Sequence, residues 1–347
     1  MRIVIIENSL GDLLSSRIGL GRYLEDREYE VFMYAKDAIK RVEQQYSTFR
    51  VGSFGVLKLF YEIIKIKPDV ILSFRLESHL LTFIFHYILG FRVFYVVTGL
   101  GRYFDLENKP KGLKGFVINL FYKYVIARSC DPIIVQNSTD AAYFYDLNPK
   151  LNVKMIKGSG VDISSSVPLK ECVEHKFYFA GRCLEEKGVK IAIDSIIEWN
   201  SRNPSRRVSL DIYGFHKEDY LKTIDSKYVD NEFVSFLGWQ NLTNDKVMKY
   251  CALINPTKYR EGIPRVVLQA YSSGVPAILS RVPGNDEMII EELGLDFTLD
   301  STKEILFCIS NALNLDRDKT SKKCIMKLKK ERAFAEDVYM SFEELLK

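Results

Sequence analysis

Apolar and polar positions divide the first half of the chain into short strand-like runs and longer segments with helical periodicity. The apolar runs read RIVII, EVFMYA, DVILS, RVFYVV and PIIVQN. Helical patterns occupy residues 15–25, 54–66 and 112–128 between them. Short β-branched runs that alternate with helices are typical of parallel strands joined by crossover helices, so this half predicts a Rossmann-like α/β domain.

A second alternating series follows in the C-terminal half. Its runs HKFYFAGR, VSLDIYG, FVSFLG, CALINP and VPAILS are each followed by a helical pattern. The polar, turn-rich segment KGSGVDISSSVPLKE at residues 157–171 is interpreted as an interdomain linker. We therefore predict an N-terminal domain over residues 1–165 and a C-terminal domain over residues 166–330. The tail at residues 331–347 has helical spacing and is predicted to cross back to the N-terminal domain.

The length of 347 residues suits two α/β domains of ordinary size. Doubly wound domains bind ligands outside the carboxyl ends of their strands, so we predict two Rossmann-like domains that face each other across a cleft. The most apolar stretch, residues 79–97, is interrupted by Gly90 and Arg92. It predicts a helix that stops at the glycine and then a buried strand, instead of a membrane span.

Composition narrows the function classes. The chain has 49 Lys and Arg against 45 Asp and Glu. This positive excess is too small to suggest a nucleic-acid partner, whose phosphate backbone needs many cations. The six cysteines form no C-x-x-C pair, which argues against a zinc site and against a disulfide framework. The start MRIVII lacks the features of a signal peptide, so a cytoplasmic chain is expected. We expect neither a metal nor a cofactor.

The strongest motif is NPTKYREGIPRVVLQAYSSGVPAILS at residues 255–280. In it a strand, a loop, a helix and a second strand follow one another with very short connections. Gly262 lets backbone approach a ligand, Ile263 lies beside it, and Pro264 suits the first turn of a helix. A helix N-terminus favours an anion such as a diphosphate, while Glu261 can accept hydrogen bonds from sugar hydroxyls. Taken alone, Glu261 is better explained as a helix-capping acid. The residues around it, however, favour a role in ligand binding.

This run resembles the signature of retaining family-four glycosyltransferases of the GT-B fold, in which an E-x7-E element precedes an A-x-x-x-G-x-P run. Glu261 fills the first acidic position and Gln269 stands at the second. In the family the second acid commonly holds the ribose. The resemblance therefore implies that Gln269 bonds a ribose hydroxyl through its carbonyl oxygen, more weakly than a carboxylate would. The alternative for Gln269 is an ordinary helix-surface residue.

A second motif, FAGRCLEEKGV, resembles the GR-x-x-x-x-KG element of the same family. It contains Gly181, Arg182 and Lys187. The resemblance implies that the two cations stabilise the charge that builds on the leaving diphosphate without a metal. The alternative, a solvated basic pair at a helix start, is unfavourable to the helix dipole.

Two further loops are expected to contribute to donor binding. VSFLGWQ matches the position where the family presents loop backbone to the nucleotide base, with Leu237 and Gly238 as candidates. A plain strand end explains this run almost as well. YGFHKEDY places Gly214 directly after a strand.

In the N-terminal half, Gly11 of ENSLGDLLSSR follows the first strand and is expected to let a loop approach the donor phosphate. The run VVTGLGRYF resembles the GLG-x-x-F element of transferases that extend undecaprenyl-diphosphate-linked sugars in bacterial surface-polysaccharide assembly. It implies that Thr98, Gly99 and Arg102 bind the acceptor.

Other candidates in this half have competing explanations. Glu77 and His79 follow a strand end where acceptor-binding residues can project, although a lone histidine at a helix start is more often structural. The basic and aromatic run at residues 109–128 can rest on anionic lipid, or can be a core-facing helix with a solvated lysine face.

Together these features predict a retaining, metal-independent glycosyltransferase. It would move a hexose or N-acetylhexosamine from a UDP-sugar to a lipid-diphosphate-linked sugar in O-antigen, capsule or exopolysaccharide biosynthesis. It would act as a peripheral protein on the inner face of the cytoplasmic membrane. The alternatives are a nucleotide-sugar epimerase of GT-B shape and a degenerate nucleotide-sugar-binding protein.

Overall fold

The computed structural model of the chain describes residues 1–35, 50–53, 55–126, 131–162, 175–224 and 231–347. The chain forms two compact units, one made of Met1–Gly160 with Ala335–Lys347 and one made of Val161–Phe334. The chain therefore passes from one unit to the other after residues 160 and 334, whereas the sequence-based boundaries fall after residues 165 and 330. Residues 163–171 of the expected linker lie outside the described residues.

The first unit is built on a seven-stranded parallel sheet in the order β3-β2-β1-β4-β5-β6-β7. Its strands are β1 (Arg2–Glu7), β2 (Glu30–Ala35), β3 (Arg50–Ser53), β4 (Val70–Phe74), β5 (Arg92–Val97), β6 (Ile133–Val135) and β7 (Val153–Met155). Alternate residues of β1 enter opposite cores, Val4 and Ile6 in one and Ile3 and Ile5 in the other. Both faces of the sheet are thus buried, which explains why its strands read as continuous apolar runs.

Within the described residues of this unit, six helices connect the strands. They are α1 (Leu10–Ser16), α2 (Ile18–Glu25), α3 (Val56–Ile66), α4 (Leu76–Leu89), α5 (Gly112–Tyr124) and α6 (Ser138–Leu147). The helix predicted near residues 15–25 is observed as α2, which begins at Ile18 and is separated from α1 at Arg17, whose side chain bonds the buried Glu7. The prediction for residues 79–97 is confirmed, since α4 ends at Gly90 in a left-handed conformation and β5 begins at Arg92. Every helix within the described ranges is too short or too polar to span a bilayer.

The second unit repeats this architecture with a six-stranded parallel sheet in the order β10-β9-β8-β11-β12-β13. Its strands are β8 (Lys176–Ala180), β9 (Ser209–Tyr213), β10 (Val234–Gly238), β11 (Ala252–Asn255), β12 (Ala277–Ser280) and β13 (Asp296–Phe297). Its helices are α7 (Val189–Arg202), α8 (Lys217–Thr223), α9 (Asn244–Val247), α10 (Arg265–Ser272), α11 (Thr302–Asn314) and α12 (Arg317–Lys330). Each unit is a Rossmann-like α/β domain, as the alternating pattern predicts.

The last helix, α13 (Ala335–Leu346), belongs to the first unit. Its Val338, Phe342 and Leu346 are buried in the same core as Ile3 and Ile5. The Tyr23 hydroxyl on α2 also donates to a Glu343 carboxylate oxygen at 3.1 Å. The C-terminal segment therefore completes the core of the N-terminal unit.

Cys183, Cys308 and Cys324 are free, whereas Cys251 is disulfide-bonded, a single bond that the cysteine spacing did not predict. Spacing in the sequence does not reveal which cysteines the fold brings within bonding distance.

Candidate active site

The strand order of the second sheet reverses between β8 and β11, which lie side by side in parallel. At such a switch point the loops that follow the two strands run to opposite faces of the sheet and leave a crevice at the carboxyl ends. The loop after β8 leads to α7, and the loop after β11 leads to α10. The first loop carries Lys187 and the second carries Glu261.

These two side chains form an ion pair although 74 residues separate them. The Lys187 Nζ donates to Glu261 Oε1 at 2.6 Å, and the Thr257 hydroxyl donates to the same oxygen at 3.0 Å. The Lys187 and Glu261 side chains are only 15% and 14% exposed. Burial by itself lowers the pKa of Lys187, but the Glu261 carboxylate outweighs this effect with help from Tyr259, and the pKa lies above its ordinary value. Lys187 is therefore a fixed ammonium at neutral pH.

The two loops are also held together through their backbones. Lys258 N donates to Glu186 O at 2.7 Å, and the Thr257 hydroxyl lies 3.3 Å from the same carbonyl. Gly188 has φ +74, and a Cβ there would lie 2.0 Å from Pro256 O. A side chain at this position would force the loops apart, so the glycine of the KG pair is needed for the ion pair to form.

Arg182 lies at the start of the same loop, just after β8. Its side chain is exposed, and its charge opposes protonation of Lys187 and so acts to lower the pKa of Lys187. The crevice thus has a buried cation paired with an acid and a second, solvent-facing cation near it. This arrangement suits a ligand that carries several negative charges.

A third loop, after β12, supports the loop that carries Glu261. Gly284 has φ +95, and a Cβ there would lie 2.2 Å from Gly262 O and 2.6 Å from Glu261 O. The buried Asn285 amide donates to the Ser280 and Asn255 carbonyls at 3.0 and 3.2 Å. Neither residue was predicted from the sequence, although the turn-forming VPGN directly after a strand indicates a loop at this edge of the sheet.

The helix α10 begins at Arg265, directly after Pro264, which occupies its N-cap position without a side-chain cap. Gly262, Ile263 and Pro264 are buried in the loop that leads into it. The partial positive charge of the helix N-terminus is therefore next to the Lys187–Glu261 pair.

The neighbouring strand ends complete this edge of the sheet. Gly181 N donates to Tyr213 O at 3.1 Å, and Gly214 N donates to Gly238 O at 2.9 Å. The loops after β8, β9 and β10 are thus adjacent. Leu237 and Gly238 end β10, with Gly238 buried.

Gln269 lies on α10 and is partly buried. Its side-chain nitrogen donates to the Leu242 carbonyl in the loop after β10. Because that carbonyl can only accept, the amide orientation is fixed and the Gln269 carbonyl oxygen points elsewhere. Within the described residues this oxygen has no hydrogen bond from the protein.

The equivalent switch point in the first unit lies between β1 and β4. Here the fully buried Glu7 carboxylate pairs with Arg17 at 3.1 Å and Arg75 at 3.3 Å, and Arg75 also pairs with Asp12 at 2.9 Å. Burial lowers the pKa of Arg17, and Glu7 opposes that effect. Sequence analysis missed this network. The exposed Gly11 lies in α1, and a Cβ there would meet nothing within 4 Å.

His79 is completely buried inside the first unit. Its Nε2 lies 3.0 Å from Ser73 O and 3.2 Å from Val96 O, so this nitrogen carries the proton and donates to both carbonyls. The Tyr122 hydroxyl faces Nδ1 at 3.4 Å. Burial lowers the pKa of His79 to about 4. The residue is therefore a neutral structural histidine, and the acceptor contact predicted for it does not fit its position.

The remaining acceptor candidates are accessible. Glu77 is exposed in the first turn of α4. Thr98 and Gly99 follow β5 and are partly buried, while the exposed Arg102 guanidinium lies 5.6 Å from the centre of the Tyr103 ring. Within the ranges described, no group of three or more His, Cys, Asp or Glu side chains is placed to hold a metal ion.

Residues 174–313 match the family model described as glycosyl transferases group 1. This segment is similar to group 1 glycosyltransferase domains. The matched segment covers the loops after β8 and β11 and therefore the crevice between them. The enzyme class that the sequence predicts, a glycosyltransferase, is confirmed. No curated protein sequence matches the chain.

Solved structures share the fold over the whole chain. A sucrose-phosphate synthase from Thermosynechococcus elongatus has a TM-score of 0.82 at 16% identity, covering 100% of this chain and 98% of that one. HepE from Anabaena, in complex with UDP-glucose, has a TM-score of 0.75 at 16% identity over 100% and 99% of the two chains. The apo lipopolysaccharide outer core galactosyltransferase WaaB has a TM-score of 0.69 at 17% identity, with coverage of 100% and 99%. The two Rossmann-like domains therefore have the GT-B fold.

Most of the predicted donor-site residues lie together in the glycosyltransferase domain, at the carboxyl edge of its sheet. They are Gly181, Arg182, Lys187, Gly214, Leu237, Gly238, Glu261, Gly262, Ile263, Pro264 and Gln269. The other predicted residues lie in the first unit, outside the matched segment: Gly11, Glu77, His79, Thr98, Gly99 and Arg102.

Proposed function

We propose that this glycosyltransferase is a retaining enzyme that moves a hexose or N-acetylhexosamine from a UDP-sugar to a lipid-diphosphate-linked sugar. It would act in bacterial surface-polysaccharide assembly on the inner face of the cytoplasmic membrane. The observation that carries the proposal is the largely buried Lys187–Glu261 pair in the crevice between β8 and β11. It combines a fixed cation for a phosphate with an oriented carboxylate for sugar hydroxyls.

In this proposal Lys187 and Arg182 bind the donor diphosphate. Lys187 donates one N–H to Glu261 and keeps two further donors for phosphate oxygens. As the bond from the sugar to the diphosphate breaks, negative charge grows on the leaving group. Lys187 is already fixed by Glu261 and stabilises the transition state without having to reorganise, and Arg182 adds a second positive charge.

Glu261 is proposed to orient the transferred sugar. Its Oε1 is held by Lys187 and Thr257, so the carboxylate is positioned before the substrate arrives. Retention of configuration and front-face attack, in which the departing phosphate receives the acceptor proton, are implied by the resemblance to retaining family-four enzymes.

The nucleotide is proposed to extend along the same sheet edge. The backbone of Leu237 and Gly238 would contact the base, with Gly181 and Gly214 lining the path. The Gln269 carbonyl oxygen would accept from a ribose hydroxyl, because its amide nitrogen is already held by Leu242. The UDP-glucose complex of HepE, which shares this fold, supports a uridine nucleotide.

The acceptor is proposed to bind the first unit near Thr98, Gly99, Arg102 and Glu77. The surface-polysaccharide assignment is supported by the GLG-x-x-F resemblance and by the fold shared with WaaB. The fold by itself does not select the acceptor, since the sucrose-phosphate synthase shares it too.

The test is nucleotide release from a panel of UDP-, GDP- and ADP-sugars, with and without a short-chain lipid-diphosphate sugar, followed by mass analysis of the acceptor. We expect release from a UDP-sugar that requires the acceptor, with a mass gain of one sugar. Isomerised donor without transfer would indicate the epimerase alternative. Tight nucleotide binding without chemistry would indicate the degenerate binding protein.

Variants test the residue roles in the same assay. Lys187→Met and Glu261→Gln should each lower kcat by about 100-fold or more, because each removes a group that acts on developing charge or on the sugar. Lys190→Met, which removes an exposed lysine paired with Asp194 on α7, is the matched control and should retain activity. Near-normal rates for the Lys187 and Glu261 variants would contradict these roles.

A further inference from the structure

Helix α5 has apolar side chains on two opposite faces. Gly115 and Tyr122 are buried on the inner face, and Tyr122 packs in the core of the first unit. The outer face carries Leu113, Phe116, Val117 and Tyr124, which are 78%, 52%, 56% and 50% exposed. Their spacing of three, four and seven residues places them on one stripe of the helix. We call these four residues the outer face of α5.

The exposed apolar surface continues onto the neighbouring helix α4. The Phe83 ring on α4 packs edge-on against the Phe121 ring of α5, with ring centres 5.8 Å apart. The hydroxyl of Tyr87, which is 51% exposed, donates to Val125 O at 2.9 Å, just past the end of α5. The outer face is therefore part of a larger patch, of the kind that marks a contact with a membrane or a protein.

The charged side chains of the segment that forms α5 have one sign. Residues 108–126 contain four lysines and no acidic residue. Lys109 pairs with Glu107 at 2.6 Å, while Lys111, Lys114 and Lys123 are exposed around α5. An apolar stripe flanked by lysines matches the interface of an anionic bilayer, where apolar side chains enter the acyl boundary and ammonium groups meet phosphates.

The same charges disfavour a second copy of the chain as the partner. A symmetric dimer through this stripe would bring the lysines of both copies together, and like charges in an interface are repulsive.

The start of α5 and its inner face are tied to the loop after β5. Lys111 N donates to Tyr103 O at 2.7 Å, and Phe104 forms a bridge with Pro110. Gly115 lies so close to this loop that a Cβ there would be 2.4 Å from Tyr103 O. The loop that contains Thr98, Gly99 and Arg102 is thus fixed against the first turns of α5.

We propose that the outer face of α5 docks the protein on an anionic lipid bilayer and so places the loop after β5 at the head-group level. This inference rests on the proposed function, because that loop would then meet the diphosphate of a membrane-borne acceptor. The docking itself needs neither donor nor acceptor.

The experiment is co-sedimentation of the full-length protein with vesicles of phosphatidylcholine alone or mixed with phosphatidylglycerol. We expect binding to the mixed vesicles only, weakened by high salt because the lysine contacts are screened. The triple variant Lys111→Glu, Lys114→Glu, Lys123→Glu should bind at least about tenfold more weakly. The triple variant Leu113→Ser, Phe116→Ser, Val117→Ser should lose binding to a similar extent.

Phe307→Ser is the matched control, because Phe307 is 63% exposed on α11 of the other unit, and its vesicle binding should be unchanged. Circular dichroism shows whether each variant is folded. Equal binding to both vesicle types, or full binding by folded triple variants, would overturn the inference. So would a dimer of the parent protein that the serine variant abolishes.

The two proposals can fail separately. Transfer to a short-chain acceptor without vesicle binding would overturn the docking surface and leave the proposed function intact. Vesicle binding without any sugar transfer would overturn the proposed function and leave the docking surface intact.

Discussion

Gln269 shows how one side chain can change the meaning of a motif position. At the position where the resembling family has a second acid, this chain uses an amide that donates to the Leu242 carbonyl. A carboxylate has no N–H to donate. A glutamate in this conformation would therefore place a carboxylate oxygen against the Leu242 carbonyl oxygen, with no hydrogen bond between them. The amide therefore connects α10 to the loop after β10, a role that a ribose-binding acid does not share.

Gln269→Glu should consequently weaken UDP binding by about fivefold, the effect of losing one hydrogen bond, although it restores the acid of the motif. Isothermal titration of UDP measures the change. Ser273→Ala, which removes another contact from α10 to the same region at Asn244, is the control and should change the affinity by less than about twofold. Tighter UDP binding by Gln269→Glu would contradict this account.

His79 gives a prediction for pH dependence. Its pKa is about 4 in the folded protein against 6.5 for an exposed histidine, because burial disfavours the charged ring. Between these values the unfolded chain binds a proton that the folded protein does not, so the stability of the first unit falls as the pH is lowered from about 6.5 to about 4. The loss is about 3 kcal/mol over the whole window.

Urea unfolding at pH 7 and pH 4.5 should reveal this component as the difference between the parent and His79→Gln. Carboxylates also titrate in this range, and they are common to both proteins and cancel. An identical pH dependence in His79→Gln and the parent would show that this histidine does not contribute.

At the scale of elements, the site depends on contacts between loops that are far apart in sequence. Three loops, after β8, β11 and β12, meet through backbone contacts at Gly188 and Gly284. The parallel sheet places their strand ends at one edge, but the close approach of their backbones requires residues without a Cβ.

Gly284→Ala should reduce kcat/KM by about 100-fold, because its methyl group would displace the backbone that positions Glu261. Gly90→Ala is the matched control, since Gly90 has φ +71 but open space around its Cβ. It should cost about 1 kcal/mol of stability from the left-handed conformation and leave kcat/KM unchanged. Equal losses of activity in both variants would indicate a general effect of strain.

At the scale of the whole molecule, the C-terminal helix α13 makes the stability of the first unit depend on the end of the chain. Phe342 is 3% exposed and packs beside Phe74, with ring centres 6.0 Å apart. The first unit is therefore complete only after the second unit has been synthesised.

Phe342→Ala should destabilise the first unit by about 3–5 kcal/mol, as expected for a large buried side chain. Calorimetry should show an earlier transition, while UDP binding below that transition persists in the second unit. Glu344→Ala, at an exposed position of α13, should melt like the parent. A single transition that shifts together with UDP binding would contradict independent units.

The sequence by itself determined the alternation of strands and helices, the Rossmann-like architecture of both units and the motifs around Lys187 and Glu261. These features follow from local periodicity and from short-range turn chemistry, which a linear sequence carries. The end of α4 at Gly90 is likewise determined by the local sequence.

Only the tertiary structure decided which groups meet. Residues that are distant in sequence form the Lys187–Glu261 pair and the contact of Gly284 with the Glu261 loop. The burial of His79 and the Glu7 network also depend on contacts between distant parts of the chain. Arg17, which lies between α1 and α2, is another such case, since its side chain bonds the buried Glu7. Local patterns set the elements, but burial and partner choice depend on the strand order that brings separate loops to one edge of a sheet.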